Sequence, residues 1–198
     1  MTVAVVKLGV GNTASVMFAL ERLGANARLT DDRAEIEDAE RVILPGVGAA
    51  GYAMRRVGEI GLTSALKSFR RPLLGICLGQ QLLFDESEEG GAATLGLLRG
   101  KVEKLEATPA APTPHMGWSR LLNVAAHPLL EGVKDGDYCY FVHSYACPLT
   151  SATIASADYE GRFAAAVANG NVFGCQFHPE RSGETGRRIL SNFLGLPC

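Results

Sequence analysis

The chain has 198 residues, the length of one domain with room for a sizeable core. Hydrophobic residues make up 47% and charged residues 20%, which argues against disorder, and a net charge of −2 excludes a general attraction for nucleic acid or anionic membranes. No apolar run reaches the roughly 18 residues of a membrane span. No signal-like basic region opens the chain. The five widely spaced cysteines lack a CxxC pair, which points to reduced thiols in a cytoplasmic protein.

The predicted elements alternate at first. Residues 3–8 form an apolar strand broken only by Lys7. Residues 13–23 carry Val16, Ala19, Leu20 and Leu23 at helical spacing, with Asn12 placed as N-cap. Short strands follow at 27–29 and 41–44, the latter stopped by Pro45 and Gly46. Residues 49–70 read as helix broken near Gly58 and Gly61, 73–76 as strand and 78–84 as helix. Apolar strands between helices imply an α/β fold with a parallel-rich central sheet covered on both faces. The second half adds shorter strands at 101–105, 118–122, 138–146, 153–157, 164–167 and 171–176, with Asn169-Gly170 as a hairpin signal. Residues 107–114 are a proline-rich loop, and 183–193 a closing helix that buries Ile189, Leu190 and Phe193.

Two motifs compete for the chemistry. Gly9-Val10-Gly11-Asn12-Thr13-Ala14 fits G-x-G-x-x-A between strand and helix, with Asp31 and Asp32 about 20 residues on, the pattern of a dinucleotide-binding crossover. An NAD-binding enzyme is therefore one reading, although tight strand-to-helix turns use the same glycines. The other is Gly75-Ile76-Cys77-Leu78-Gly79. Here a strand ends at a cysteine flanked by glycines two residues away, the sulfur form of a nucleophile elbow. A helix start beneath the sulfur favours its thiolate.

A thiolate attacking an amide needs a proton shuttle. In Phe177-His178-Pro179-Glu180, an extended backbone would set His178 and Glu180 side by side, so that the carboxylate orients the imidazole. His143 and His115 are rival bases, with His143 read as a packed core residue and His127 as a cap or turn residue. Pro45-Gly46-Val47-Gly48, after the third strand, can turn N–H groups toward a bound carbonyl, and the Leu78 N–H is the second expected donor. The acidic run from Asp85 to Glu89 reads as a solvated loop.

Together these segments resemble the class I, triad-type glutamine amidotransferases. GICLGQQLLF matches the family's G-x-C-x-G-x-Q segment and FHPE its His-x-Glu segment. PGVG, PHMGW, YFVHSY and QFHPERS are similar to the glutaminase subunits of imidazole glycerol phosphate synthases, over nearly the whole chain; the glutaminases of pyridoxal phosphate synthase are the alternative within the family. The resemblance implies one amidotransferase domain over 1–198. It gives Cys77 as nucleophile, His178 as proton carrier and Glu180 as its holder. Gly46, Val47 and Gly48 would form an oxyanion strand, and Gln81, Ser144 and Tyr145 a glutamine pocket. It implies no cofactor and no metal. It also implies a (β/α)8 cyclase subunit as heterodimer partner, which receives ammonia and makes imidazole glycerol phosphate in histidine biosynthesis. Asn12, Trp118, Tyr138 and Arg181 are the candidates for the docking surface. Three positions depart from the subtype's usual residues: Gln80 for Met, Ser119 for Asn and Arg181 for Lys.

Overall fold

The computed structural model describes residues 1–9, 13–109 and 111–198. The first half runs β1 (Thr2–Val6), α1 (Thr13–Arg22), β2 (Asn26–Thr30), α2 (Arg33–Asp38), β3 (Arg41–Gly46), α3 (Ala50–Glu59), α4 (Leu62–Ser68), β4 (Leu73–Cys77) and α5 (Leu78–Gln81). The short strands β5 (Glu86–Ser87) and β6 (Ala92–Ala93) follow, then β7 (Lys101–Lys104), β8 (His115–Arg120), β9 (Tyr138–His143) and β10 (Tyr145–Ala146). The chain closes with β11 (Thr153–Asp158), β12 (Arg162–Asn169), β13 (Val172–Cys175) and α6 (Gly183–Gly195).

A seven-stranded sheet in the order β11-β12-β13-β4-β3-β1-β2 is the frame. The pairs from β13 to β2 are parallel, and β11-β12-β13 is an antiparallel flank. Alternation along the buried strands sends Val3, Val5, Ile43, Leu74 and Ile76 to one face, against Val16 and Leu20 of α1 and Ile189 and Phe193 of α6. Ala4, Val6, Val42, Leu44 and Leu73 face the other side, against Ile36 of α2, Val57 of α3 and Leu66 of α4. Both faces are apolar, so the strands read as unbroken hydrophobic runs. Among the described residues, no helix is long and apolar enough to cross a membrane.

The structure departs from the sequence expectations where local spacing carries no tertiary information. Helix α2 was not predicted. Asp32, expected as a ribose ligand in the dinucleotide reading, instead caps α2, accepting from Ala34 N at 2.7 Å and Glu35 N at 3.1 Å. Asp31 faces Arg56 at 3.6 Å. Val10, Gly11 and Asn12 lie outside the described residues, and with them most of the glycine motif, the N-cap and one docking candidate. The predicted 78–84 helix is cut to the four residues of α5. The carbonyls of Leu82, Leu83 and Phe84 accept from the N–H groups of Leu95, Leu97 and Gly96 at 2.7–2.9 Å, so a crossing segment takes the bonds that a continued helix would need. The strand predicted over 138–146 breaks at Ser144, where the chain leaves its β8 partner and β10 pairs with β7.

Candidate active site

The parallel order of β3, β4 and β13 brings three chain segments to one sheet edge. Gly46 at the end of β3 is in register with Cys77 at the end of β4. On the other side of β4, β13 runs in parallel and delivers the segment 176–180 to the same edge. This is where open α/β sheets place their sites.

Cys77 occupies φ 54°, ψ −110°, a conformation costly for a residue with a Cβ. The flanking glycines make that bend possible by close approach. A Cβ on Gly79 would lie 1.7 Å from the Leu44 carbonyl oxygen, and one on Gly75 would lie 2.5 Å from the Gly79 carbonyl group. The first turn of α5 therefore rests directly on the backbone of β3. The Cys77 thiol donates to Val142 O at 3.7 Å, and Gln176 Nε2 donates to Cys77 Sγ at 3.8 Å.

His178 and Glu180 meet through their side chains, with Nδ1 and Oε1 2.7 Å apart and both side chains buried. The backbone that joins them is not the extended segment expected. Pro179–Arg181 is a turn of 3-10 helix, and the turn brings the carboxylate round to the ring. Burial alone would lower the His178 pKa. The interactions of the ring with nearby Cys77 and Glu180 outweigh it and raise the pKa to about 10. Nε2 of the ring and Oε2 of Glu180 are buried without a hydrogen-bond partner, which leaves Nε2 free to serve a group arriving at the sulfur.

The backbone of His178 is pinned from β9. His178 N donates to Tyr140 O at 2.9 Å, Tyr140 N donates to Ser182 Oγ at 2.9 Å, and Ser182 Oγ donates to His178 O at 2.7 Å. The rival histidines are held neutral by burial, which lowers His115 to about 4 and His143 to about 3. They hydrogen-bond each other at 3.0 Å, and His143 Nδ1 lies 2.8 Å from Tyr145 O, so the ring is the donor there. His143 is the packed core residue expected, and His127 is the expected cap, accepting from Leu129 N at 3.1 Å.

Two hollows open at this edge, one of them onto Cys77. That one, of about 460 Å³, is lined by Gly48, Cys77, Leu78, Gln81, Glu89, Ser144 and Tyr145. The other, of about 110 Å³, is largely apolar and is lined by Val16, Gly46, Ile76, His178, Glu180 and Arg181. Val47 and Val142 line both and stand between them. Gly48, at φ 97°, lets the chain turn away just past β3.

The family described as glutamine amidotransferase class-I matches residues 5–195. The chain belongs to the class-I glutamine amidotransferases. It is 54% identical to the imidazole glycerol phosphate synthase subunit HisH of Xylella fastidiosa (strain Temecula1 / ATCC 700964), covering 98% of this chain and 97% of the relative. Identity to the same subunit of Xanthomonas axonopodis pv. citri (strain 306) is 51%, with the same coverage. The fold is similar to that of PurLQS from Thermotoga maritima, with a TM-score of 0.71 at 23% identity, covering 98% of this chain and 97% of that one.

Sequence reading of this amidotransferase missed three residues at the site. Glu89 lines the larger hollow, and its Oε2 accepts from Ala50 N at 2.7 Å. The acidic run is thus not merely solvated, since Asp85 accepts from Gly100 N at 3.0 Å and Glu88 from Lys104 N at 2.9 Å. Gln176 and Ser182 are the others. Each has a hydrogen-bond partner far along the chain, which no local spacing signals. Gln80 points away from the hollows. It is buried and donates to Ala164 O at 3.0 Å. Of the docking candidates described, Trp118 and Tyr138 are 54% and 46% exposed, and Arg181 is exposed beside the smaller hollow. Met116, Trp118 and Arg120 of β8 pair with Val142, Tyr140 and Tyr138 of β9, so one face of this ribbon is a strip ending at the Val142 divide.

Proposed function

We propose that this chain is the glutaminase subunit of an imidazole glycerol phosphate synthase, with Cys77, His178 and Glu180 as its catalytic residues. One observation carries the reading: a cysteine on a strained, glycine-flanked bend shares a sheet edge with a buried histidine–carboxylate pair that favours the imidazolium.

The chemistry follows from these groups. The thiol proton passes to His178, and Glu180 holds the resulting cation. The sulfur attacks the side-chain amide carbon of glutamine, forming a C–S bond and moving the carbonyl pair onto oxygen. The Leu78 N–H and the Gly46-Val47-Gly48 segment supply donors for that oxyanion. As the intermediate collapses, the C–N bond breaks, and the nitrogen takes the proton from His178 and leaves as ammonia. Water then gives a proton to His178 and attacks the thioester carbon, the C–S bond breaks as His178 returns that proton to the sulfur, and glutamate departs.

The larger hollow suits glutamine. Its amino group would meet the Glu89 carboxylate, while Ser144 and Tyr145 offer backbone polar groups. Both N–H groups of Gln81 are engaged internally, so Gln81 presents its oxygen to the substrate. The smaller hollow, apolar and on the far side of the Val47–Val142 divide, suits uncharged ammonia. Because ammonia is largely ammonium in neutral water, a dry exit must open into a partner. The exposed strip through Trp118 and Tyr138, together with Arg181, offers the aromatic and arginine anchors that stable interfaces use. A (β/α)8 cyclase subunit is the partner this reading names. The four buried, free cysteines fit a reducing, cytoplasmic setting.

The test is glutamate release from glutamine by the chain alone and with a bacterial cyclase subunit and its ligand. Activity should be low alone, rise in the complex and vanish in Cys77→Ala with partner binding intact. Turnover retained by Cys77→Ala would remove the assignment.

A further inference from the structure

The sulfur gains little charge stabilisation from the helix beneath it. Helix α5 is a single turn, so few aligned peptide dipoles add up beneath it. Another donor is already in place. Gln176, just past the end of β13, is fully buried.

The orientation of its amide is forced by a chain of hydrogen bonds. Tyr145 O can only accept, so the Gln81 group 2.8 Å from it is the nitrogen, Nε2. That nitrogen has a second hydrogen to give, and it donates to Gln176 Oε1 at 3.1 Å. Cys147 Sγ also donates to Gln176 Oε1, at 3.8 Å. With its oxygen held on that side, Gln176 turns its nitrogen toward Cys77 Sγ at 3.8 Å. The two groups on the sulfur therefore act in opposite senses. Val142 O accepts from the thiol and favours S–H. Gln176 N–H donates to a sulfur lone pair and binds more strongly as negative charge builds there.

We propose that Gln176 is a further catalytic residue of this amidotransferase, its Nε2–H donating to the Cys77 sulfur and stabilising the thiolate that attacks the amide. The inference rests on the reading of Cys77 as nucleophile. It also gives Gln81 a second task, because the side chain that reaches the glutamine pocket is the one that fixes the direction of the sulfur's donor.

The test compares Gln176→Met, which keeps the length and removes the donor, with Gln176→Asn, which keeps a buried amide but draws its N–H back from the sulfur by one methylene. Iodoacetamide alkylation is followed across pH 6–9 by mass spectrometry of the Cys77 peptide, so that the exposed Cys198 does not interfere, and urea unfolding checks the fold. Cys77 should react about tenfold more slowly or worse at neutral pH, the scale of a hydrogen bond to a charged group. Its pH profile should move toward the alkaline side. If Gln176→Met does not fold, Gln176→Asn carries the comparison. A wild-type rate and profile in either folded variant would overturn the proposal. Cys77→Ala separates the two levels: glutamine hydrolysis surviving in that variant defeats the nucleophile reading itself, whereas its loss alongside wild-type Gln176 variants defeats only the present inference.

Discussion

Gly79→Ala probes the bend beneath Cys77 most directly. The added Cβ would sit 1.7 Å from Leu44 O and 2.8 Å from Leu44 C, against ordinary contacts of 3.4 Å and above. A gap of about 1.5 Å or more has to open, since contacts are repulsive well before that separation. Leu44 cannot supply it: the residue is fully buried in β3, and its register partner in β4 is Gly75. The first turn of α5 must retreat instead, and Cys77 and Leu78 move with it. Overpacking a core costs about 1–3 kcal/mol when side chains can adjust. Here the obstacle is backbone, so a loss of about 3 kcal/mol or more is expected, a large share of a typical domain's stability. Gly58→Ala in α3 is the control. Nothing lies within 4 Å of its Cβ position, and removing a helical glycine should gain about 0.5–1 kcal/mol. Urea unfolding followed by circular dichroism measures both, and alkylation of Cys77 reports the position of the bend. A Gly79→Ala chain within about 1 kcal/mol of wild type and with unchanged Cys77 reactivity would refute the close approach of α5 to β3.

Three further outcomes are expected. His178 lies at about 10 against an ordinary 6.5, so the stability it contributes is complete below pH 6.5 and drains as pH rises through 10. The urea midpoint should fall further between those values in wild type than in Glu180→Gln, and equal falls would count against the pair. His115 and His143 are depressed to about 4 and about 3, so the unfolded chain takes up protons that the native one refuses. Stability should therefore drop between pH 6.5 and 4 by up to about 1.4 kcal/mol per pH unit for each ring, and a flat profile there would be incompatible with their burial. Trp118→Ala and Arg181→Ala should each weaken cyclase binding about tenfold, measured by calorimetry, while leaving the unfolding midpoint unchanged. Unaltered affinity in both would move the interface elsewhere.

What the sequence made legible follows from how local each signal is. The unbroken apolar runs announced parallel strands buried on both faces, and Asn169-Gly170 announced the β12–β13 turn, where Gly170 takes φ 58°. Gly75 and Gly79 signalled the bend at Cys77 because steric demands within five residues leave a compositional trace. The position of β13 beside β4 left none. It depends on the order in which distant strands join the sheet, and it decides whether His178 comes near the sulfur at all. Helix α5 was overextended because the competitors for its carbonyls, the N–H groups of residues 95–97, return only after a long excursion. Glu89 and Gln176 were invisible for the same reason, since a buried amide is recognised by its partners and not by its neighbours in sequence. The 3-10 turn at Pro179–Arg181 shows the converse, because a side-by-side pairing can be anticipated from a spacing of two while the backbone that delivers it differs.

The Val47–Val142 partition between the two hollows has a consequence for how turnover is organised in time. On the proposed reading, a partner seated over the smaller, apolar chamber would leave the larger one open to bulk solvent. In the proposed complex, reactant exchange and delivery of the released nitrogen would then use separate doorways, so that the assembly could run cycle after cycle without its subunits parting.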